Sequence, residues 1–190
     1  MNGGVIGVSD HAGWAVLVTA ARDGTLLDRR RVELIGDGLP VMPYHHDAQG
    51  LPLEQAEALI ERVRGSVEKC AARALDSVAG AVPRILGIAL RQCQPLPPTI
   101  AARLKDYRAR NTADWVMYRQ ALASAAEARG WQVHWYDAKT VLATAADVRK
   151  AVGPPWSQDH KTAMAAALFF AQGGHGIDKR GSPSRKKGRQ

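Results

Sequence analysis

The sequence predicts an α/β domain built on a sheet of mixed strand direction, and three features of its 190 residues predict it. Two short apolar runs, VIGVS at 5–9 and ILGIAL at 85–90, have the length and bounding turn residues of central strands covered on both faces. Residues 14–34 carry two more strand-like segments joined by Arg22-Asp23-Gly24-Thr25, whose Gly24 suits a hairpin turn. After residue 51, helical periodicity alternates with short strands, the pattern of a layered α/β sheet.

Taken in order, the first strand occupies 5–9 and the second 14–21. The third, 26–34, alternates Leu27, Arg29, Arg31 and Glu33 with its neighbours and reads as an edge strand protected by charge. Residues 35–51, with Gly36, Gly38, Pro40, Pro43 and Gly50, form a long loop carrying Tyr44-His45-His46-Asp47. Pro52 opens a helix to about residue 78, because Ala56, Ile60, Val63, Val67, Cys70, Ala71, Ala74 and Val78 fall on one stripe. After the strand at 85–90 and the breaker Pro95-Leu96-Pro97-Pro98, Thr99 caps a helix through Tyr107. Asn111 or Thr112 is the expected cap of a further helix to Arg129, stopped by Gly130. A strand at 132–136, a helix at 139–152 and a final helix at 158–172 capped by Ser157 complete the domain, 1–172.

Residues 173–190 are expected to be a disordered basic tail. Lys179, Arg180, Arg185, Lys186, Lys187 and Arg189 against Asp178 give it +5 of the chain's +8, leaving +3 on the body. Such a tail gives salt-dependent, nonspecific affinity for DNA or RNA phosphates, or serves solubility alone. With 46% hydrophobic and 23% charged residues, the composition is that of a soluble globular protein. No leader-like segment or membrane-length apolar run is present, and Cys70 and Cys93 have no metal-type spacing, so the expected compartment is the reducing cytoplasm. GxGxxG, Walker A, GxSxG and HExxH patterns are all missing, which removes support for dinucleotide, P-loop, serine-hydrolase and zincin chemistry.

If the crossovers are right-handed, the strands starting at Val5, Ile85 and Gln132 run parallel, and Asp10, Arg91 and Asp137 share the edge where open α/β sheets bind ligands. The loop with His45 and His46 leaves from the same edge. His11 and His160 follow Asp10 and Asp159, so a carboxylate–imidazole cluster for Zn²⁺ or Mn²⁺ stands against ordinary surface histidines. His134, inside a strand, reads as a packed residue. Asp10 and Asp137 can equally close turns, and Asp159 can simply complement a helix dipole. Trp115, Tyr118, Trp131, Trp135 and Trp156 are either stacking surfaces or core. The segment 105–119, with Lys105, Arg108, Arg110 and Arg119 around Tyr107 and Trp115, is either a nucleic-acid contact or a solvated helix face.

The element order, Asp10 before Gly13-Trp14-Ala15-Val16-Leu17, and the alanine-rich last helix Asp159-His160-Lys161-Thr162-Ala163-Met164-Ala165-Ala166-Ala167 resemble the ribonuclease H-like superfamily. Within it, the chain is most similar to bacterial Holliday-junction resolvases. The resemblance implies a five-stranded sheet of order 3-2-1-4-5 and acids on strand 1, strand 4 and the last helix that hold Mg²⁺ or Mn²⁺ for phosphodiester hydrolysis. Carried over by position, Asp10 and Asp159 are the metal ligands, with Asp137 or His160 assisting. From their charge and not from the resemblance, Arg91, Lys161, Arg108 and Arg110 are the expected nucleic-acid contacts. Strand 4 departs from the pattern, since no Asp or Glu lies between Asp76 and Asp106 and Arg91 stands where the acid is expected.

Three readings follow. One is a nucleic-acid-binding protein retaining metal-dependent cleavage. The second is an inactive binding or scaffold module of the same fold in which Arg91 neutralises Asp10. The third is nucleotide binding of the actin-like kind, which needs a second such domain. Oligomeric state is open.

Overall fold

The structure is a computed structural model that describes residues 3–144 and 157–174. Five strands form one sheet: β1 (Gly4–Asp10), β2 (Trp14–Ala21), β3 (Leu26–Glu33), β4 (Ile85–Arg91) and β5 (Gln132–Tyr136). Their order is β3-β2-β1-β4-β5, with the first three antiparallel and β1, β4 and β5 parallel. This is the mixed ribonuclease H-like sheet expected from the sequence, and the arginine-rich β3 is indeed an edge. Gly24 takes φ +92° in the hairpin turn, and Gly13 takes +86° in the β1–β2 turn, a conformation that a side chain would strain.

Helices cover both faces. On one lie α1 (Leu53–Ala81) and α3 (Tyr107–Glu127); α2 (Ile100–Lys105) precedes α3. Ile6 and Val8 of β1 join Val63, Val67, Leu75, Tyr118 and Leu122 in this larger core. On the other face lies α5 (Gln158–Ala171), preceded by α4 (Ala138–Thr144). Val5 packs with Ala165, Ala166 and Phe170, and Val16 and Val18 pack with Ala163, Met164 and Ala167. Each fully buried Ile, Leu or Val contributes about 1.5–3 kcal/mol. Side chains alternate along a strand, so even-numbered β1 residues face α1 and α3 while odd-numbered ones face α5.

The alanines of α5 allow its backbone to lie directly on β1. A Cβ on Gly7 would collide with the Ala163 carbonyl and the Ala167 amide, so this position excludes side chains.

Several details differ from expectation, among them α1, which runs on past residue 78 to Ala81. α3 starts at Tyr107, not at a cap on Asn111 or Thr112, because the Asp106 carboxylate takes the amides of Arg108 (2.8 Å) and Ala109 (3.1 Å). The helix capped by Thr99 therefore ends at Lys105. The long loop contains one π-helical turn, Pro43–Asp47. The expected helix beyond Thr144, Trp156 and the basic tail beyond Gly174 lie outside the described residues. No helix among the described residues is long and apolar enough to cross a membrane.

Candidate functional site

β1 ends in Ser9 and Asp10, and alternation sends these neighbours to opposite faces of the sheet. Asp10 turns toward α3. Its Oδ2 accepts a hydrogen bond from Arg119 Nε at 2.7 Å, and its side chain is wholly shielded from solvent. Arg119 also donates through Nη1 to the Gln92 carbonyl at 3.1 Å. The cation on Asp10 is therefore Arg119 and not Arg91, which corrects the pairing expected from the sequence. Arg91 belongs to the other face of the sheet. Asp10 Oδ1 is buried without a hydrogen-bond partner, and the half-buried Cys93 thiol nearby is pushed up, first by its burial.

On the α5 face, Ser9 Oγ donates to Asp159 Oδ1 at 2.8 Å, and His11 Nε2 approaches the same oxygen at 2.8 Å. A carboxylate only accepts, so Nε2 carries the proton. Burial raises the Asp159 pKa, but the bonds from His11 and Ser9 and the charges of His11 and His160 outweigh it and hold the carboxyl below its ordinary value. His11 in turn stacks on Trp14, rings 4.0 Å apart and inclined by 6°, while the Arg31 guanidinium lies 4.4 Å from the Trp14 centroid. His160 is the N3 residue of a capping box: its Nδ1 accepts from the Ser157 amide at 3.3 Å and lies 2.8 Å from Ser157 Oγ. Burial and the charge of Arg29 push His160 below its ordinary pKa.

Arg91 completes this edge. The β1–β4 register pairs Val5 with Gly87 and Gly7 with Ala89, so alternation along β4 puts Arg91 on the α5 face, at the end of the strand. The β4–β5 register pairs Arg91 with Tyr136, a residue of the α5-side core. Tyr136 donates its hydroxyl to the Val8 carbonyl at 2.6 Å. Burial is the first cause holding that phenol above its ordinary pKa; the Asp10 charge adds to it, while Arg91 and Arg119 draw it down.

The remaining candidates lie elsewhere. Asp137 Oδ1 accepts from the amides of Lys139 and Thr140 (both 3.1 Å) and from Thr140 Oγ1, which is the turn-closing role. His45 and His46 pack edge to face against each other. The amides of Tyr44 and His45 donate to Asp114 of α3 at 3.1 and 3.0 Å. His134 stacks on Phe170, and burial lowers its pKa. Arg108 and Arg110 stand at the start of α3, in the layer opposite α5, where Arg110 lies 5.8 Å from the Tyr107 ring. Lys161 sits half-buried in the first turn of α5. Tyr118 and Trp135 are core residues, not stacking surfaces.

These donors do not fit Mg²⁺ or Mn²⁺. Hard cations need converging oxygens with spare negative charge. The α5 face offers one carboxylate, already engaged by a hydroxyl and an imidazole, beside a guanidinium. Asp10 is screened from it by the sheet and neutralised by Arg119. Among the described residues no group of three or more His, Cys, Asp or Glu is arranged to hold a metal ion. Sequence reasoning missed Ser9, Asp114 and the pairing role of Arg119. The signal for Ser9 was Gly7, whose lack of a side chain marks the face on which the alanine-rich helix lies.

No protein-family model matches the chain, and no curated protein does. Among solved structures, RuvC of Thermus thermophilus in complex with Holliday junction substrate matches with a TM-score of 0.53 at 14% identity, over 96% of this chain and 99% of that one. A second structure of Thermus thermophilus RuvC matches at 0.48 and 14% identity, over 89% and 93%. At this identity the likeness is one of architecture, and together with the sheet order it establishes the fold: the chain has a ribonuclease H-like fold, similar to that of RuvC.

Proposed function

We propose that this protein is a cytoplasmic nucleic-acid-binding module of ribonuclease H-like fold that holds DNA without hydrolysing it. The observation that carries the reading is the split of the two candidate acids between the faces of the sheet. Asp159 meets Ser9 and His11, with Arg91 on the same face, instead of a second and third carboxylate. The same face is basic. Arg31 and Arg29 pair across the sheet with Val16 and Val18, which point to α5, and so flank the edge together with Arg91 and Lys161. Fixed cations at a ligand-binding edge supply phosphate affinity that needs no metal.

RuvC is seen with a Holliday junction, so a labelled four-way DNA junction is the first probe, with duplex DNA and an RNA–DNA hybrid as competitors. The expected outcome is binding that weakens steeply with salt, log affinity falling linearly with log salt concentration, and intact strands after incubation with Mg²⁺ or Mn²⁺. Metal-dependent cleavage that disappears in Asp159→Asn would replace this reading with the phosphodiesterase one. Failure to bind any of the three substrates at low salt would remove nucleic acid altogether.

A further inference from the structure

We infer that Arg91 forms a metal-independent subsite for a singly charged phosphodiester, in the place where the resemblance called for a cation held by acids. The inference rests on the proposed nucleic-acid function and names the group that the site would grip.

Arg91 is only partly exposed, at the C-terminal end of β4. Its Nε is shielded from solvent and has no hydrogen-bond partner. Among the described residues no carboxylate pairs with it within ion-pair distance, although Arg30, Arg31, Arg64, Arg119 and Arg129 each have one. A shielded guanidinium edge without a counter-ion is costly, and an oxyanion is the group that satisfies it, because the planar fork of Nε–H and Nη–H matches two oxygens at once. Its neighbours do not neutralise it. The Tyr136 hydroxyl faces Arg91 but is uncharged and donates its own proton to the Val8 carbonyl, and Ser9 donates to Asp159.

Asp159 sets the charge of the ligand. It stands two hydrogen bonds deep in Ser9 and His11 and remains an anion on the face of the sheet that Arg91 shares. A ligand with one negative charge gains the Arg91 contact at modest cost. A doubly charged phosphate meets like-charge repulsion from Asp159 in a partly shielded site. A backbone phosphodiester carries a single charge and inorganic phosphate carries close to two at neutral pH, so the site favours the former.

The test uses the full chain in EDTA. The Nε–Hε resonance of Arg91 is followed by NMR during titration with the dinucleotide dTpdT or with inorganic phosphate, and junction affinity is measured for native protein, Arg91→Lys, Arg91→Ala and Arg64→Ala. Arg64, on the exposed side of α1, is the control. Thermal melts report folding, and Arg91→Lys keeps a cation if Arg91→Ala does not fold. The expected result is a dTpdT-dependent shift of Arg91 larger than that with phosphate. Junction affinity should fall between about 10- and 100-fold in Arg91→Ala, less in Arg91→Lys, and not at all in Arg64→Ala. Unchanged affinity in both Arg91 variants, or binding that EDTA abolishes, overturns the subsite while leaving nucleic-acid binding in place. A phosphate shift as large as the dTpdT shift overturns the phosphodiester preference. An Arg91 shift with dTpdT and no binding to any polymer keeps the subsite and overturns the nucleic-acid function.

Discussion

Asp10 and Asp159 stand at the same end of β1, on opposite faces of the sheet, and live in different media. Asp10, on the α1–α3 face, has no solvent contact and is held by one guanidinium at 2.7 Å. Asp159, on the α5 face, keeps 28% of its side chain exposed and shares a serine hydroxyl and an imidazole. The difference arises from the period-two alternation of β1, which separates residues adjacent in sequence by the thickness of the sheet. It teaches that a conspicuous acid at a strand end is only as useful as the face it points to. The buried acid is held by a cation, and the half-buried one by a hydroxyl and an imidazole.

The largest effect should come from breaking the buried side of this contrast. Arg119→Ala leaves Asp10 uncompensated in the core and should cost about 3–5 kcal/mol, read as a lowered midpoint in urea. Replacing both residues with apolar ones of similar size should recover much of the loss. Asp159→Ala, across the sheet, should cost no more than about 1 kcal/mol. Equal losses from Arg119→Ala and Asp159→Ala would dissolve the comparison.

A second buried acid sharpens it through pH. Asp114 is fully buried on the α3 side, and desolvation lifts its carboxyl to about 6, against the lowering effect of the Tyr44 and His45 amides. Its native form holds a proton more tightly than the unfolded chain does. The stability it contributes is therefore full below the ordinary carboxylate range and is lost as pH rises through about 6, on the order of 3 kcal/mol over that window. Asp159, whose carboxyl is lowered, has the opposite sign: its contribution is present above the ordinary range and is lost as pH falls through its own titration. Urea melts between pH 7 and 4 should show stability rising on acidification from the Asp114 term, a slope that Asp114→Asn removes. A native slope unchanged in Asp114→Asn would place the titrating group elsewhere.

A last variant probes the packing that creates the two faces. Gly7→Ala forces α5 off β1 and should cost about 1–3 kcal/mol. It should also perturb the NMR signals of His11 and Asp159 more than those of Arg119. A silent Gly7→Ala would mean that α5 is not seated on the strand.

Much of this was legible in the amino-acid order. Apolar runs of strand length, the 52–78 stripe and the turns at Gly24 and Gly130 act locally, so periodicity and φ preference locate them. Asp106 was passed over because several polar residues competed for one cap, and only the helix axis decides among them. The site was half legible. The lack of an acid in strand 4 and the place of Arg91 could be read directly, whereas the face of Asp10 depends on which layer α5 covers. That is a long-range fact, 150 residues from Ser9 to Asp159, hinted at only by Gly7 and the alanines of α5. Arg119 was visible as a charge but not as a partner, because its contact spans 109 residues.

The most direct test of the central claim is Mn²⁺ binding followed by electron paramagnetic resonance, on native protein and on the double variant Ser9→Asp/Arg91→Glu. That variant places two new carboxylates on the face of Asp159. The account predicts that native protein leaves Mn²⁺ free, while the double variant acquires a site that Asp159→Asn removes again and Asp10→Asn does not. Tight Mn²⁺ binding by the native chain, lost in both Asp10→Asn and Asp159→Asn, would contradict it by showing that the two acids share one ion.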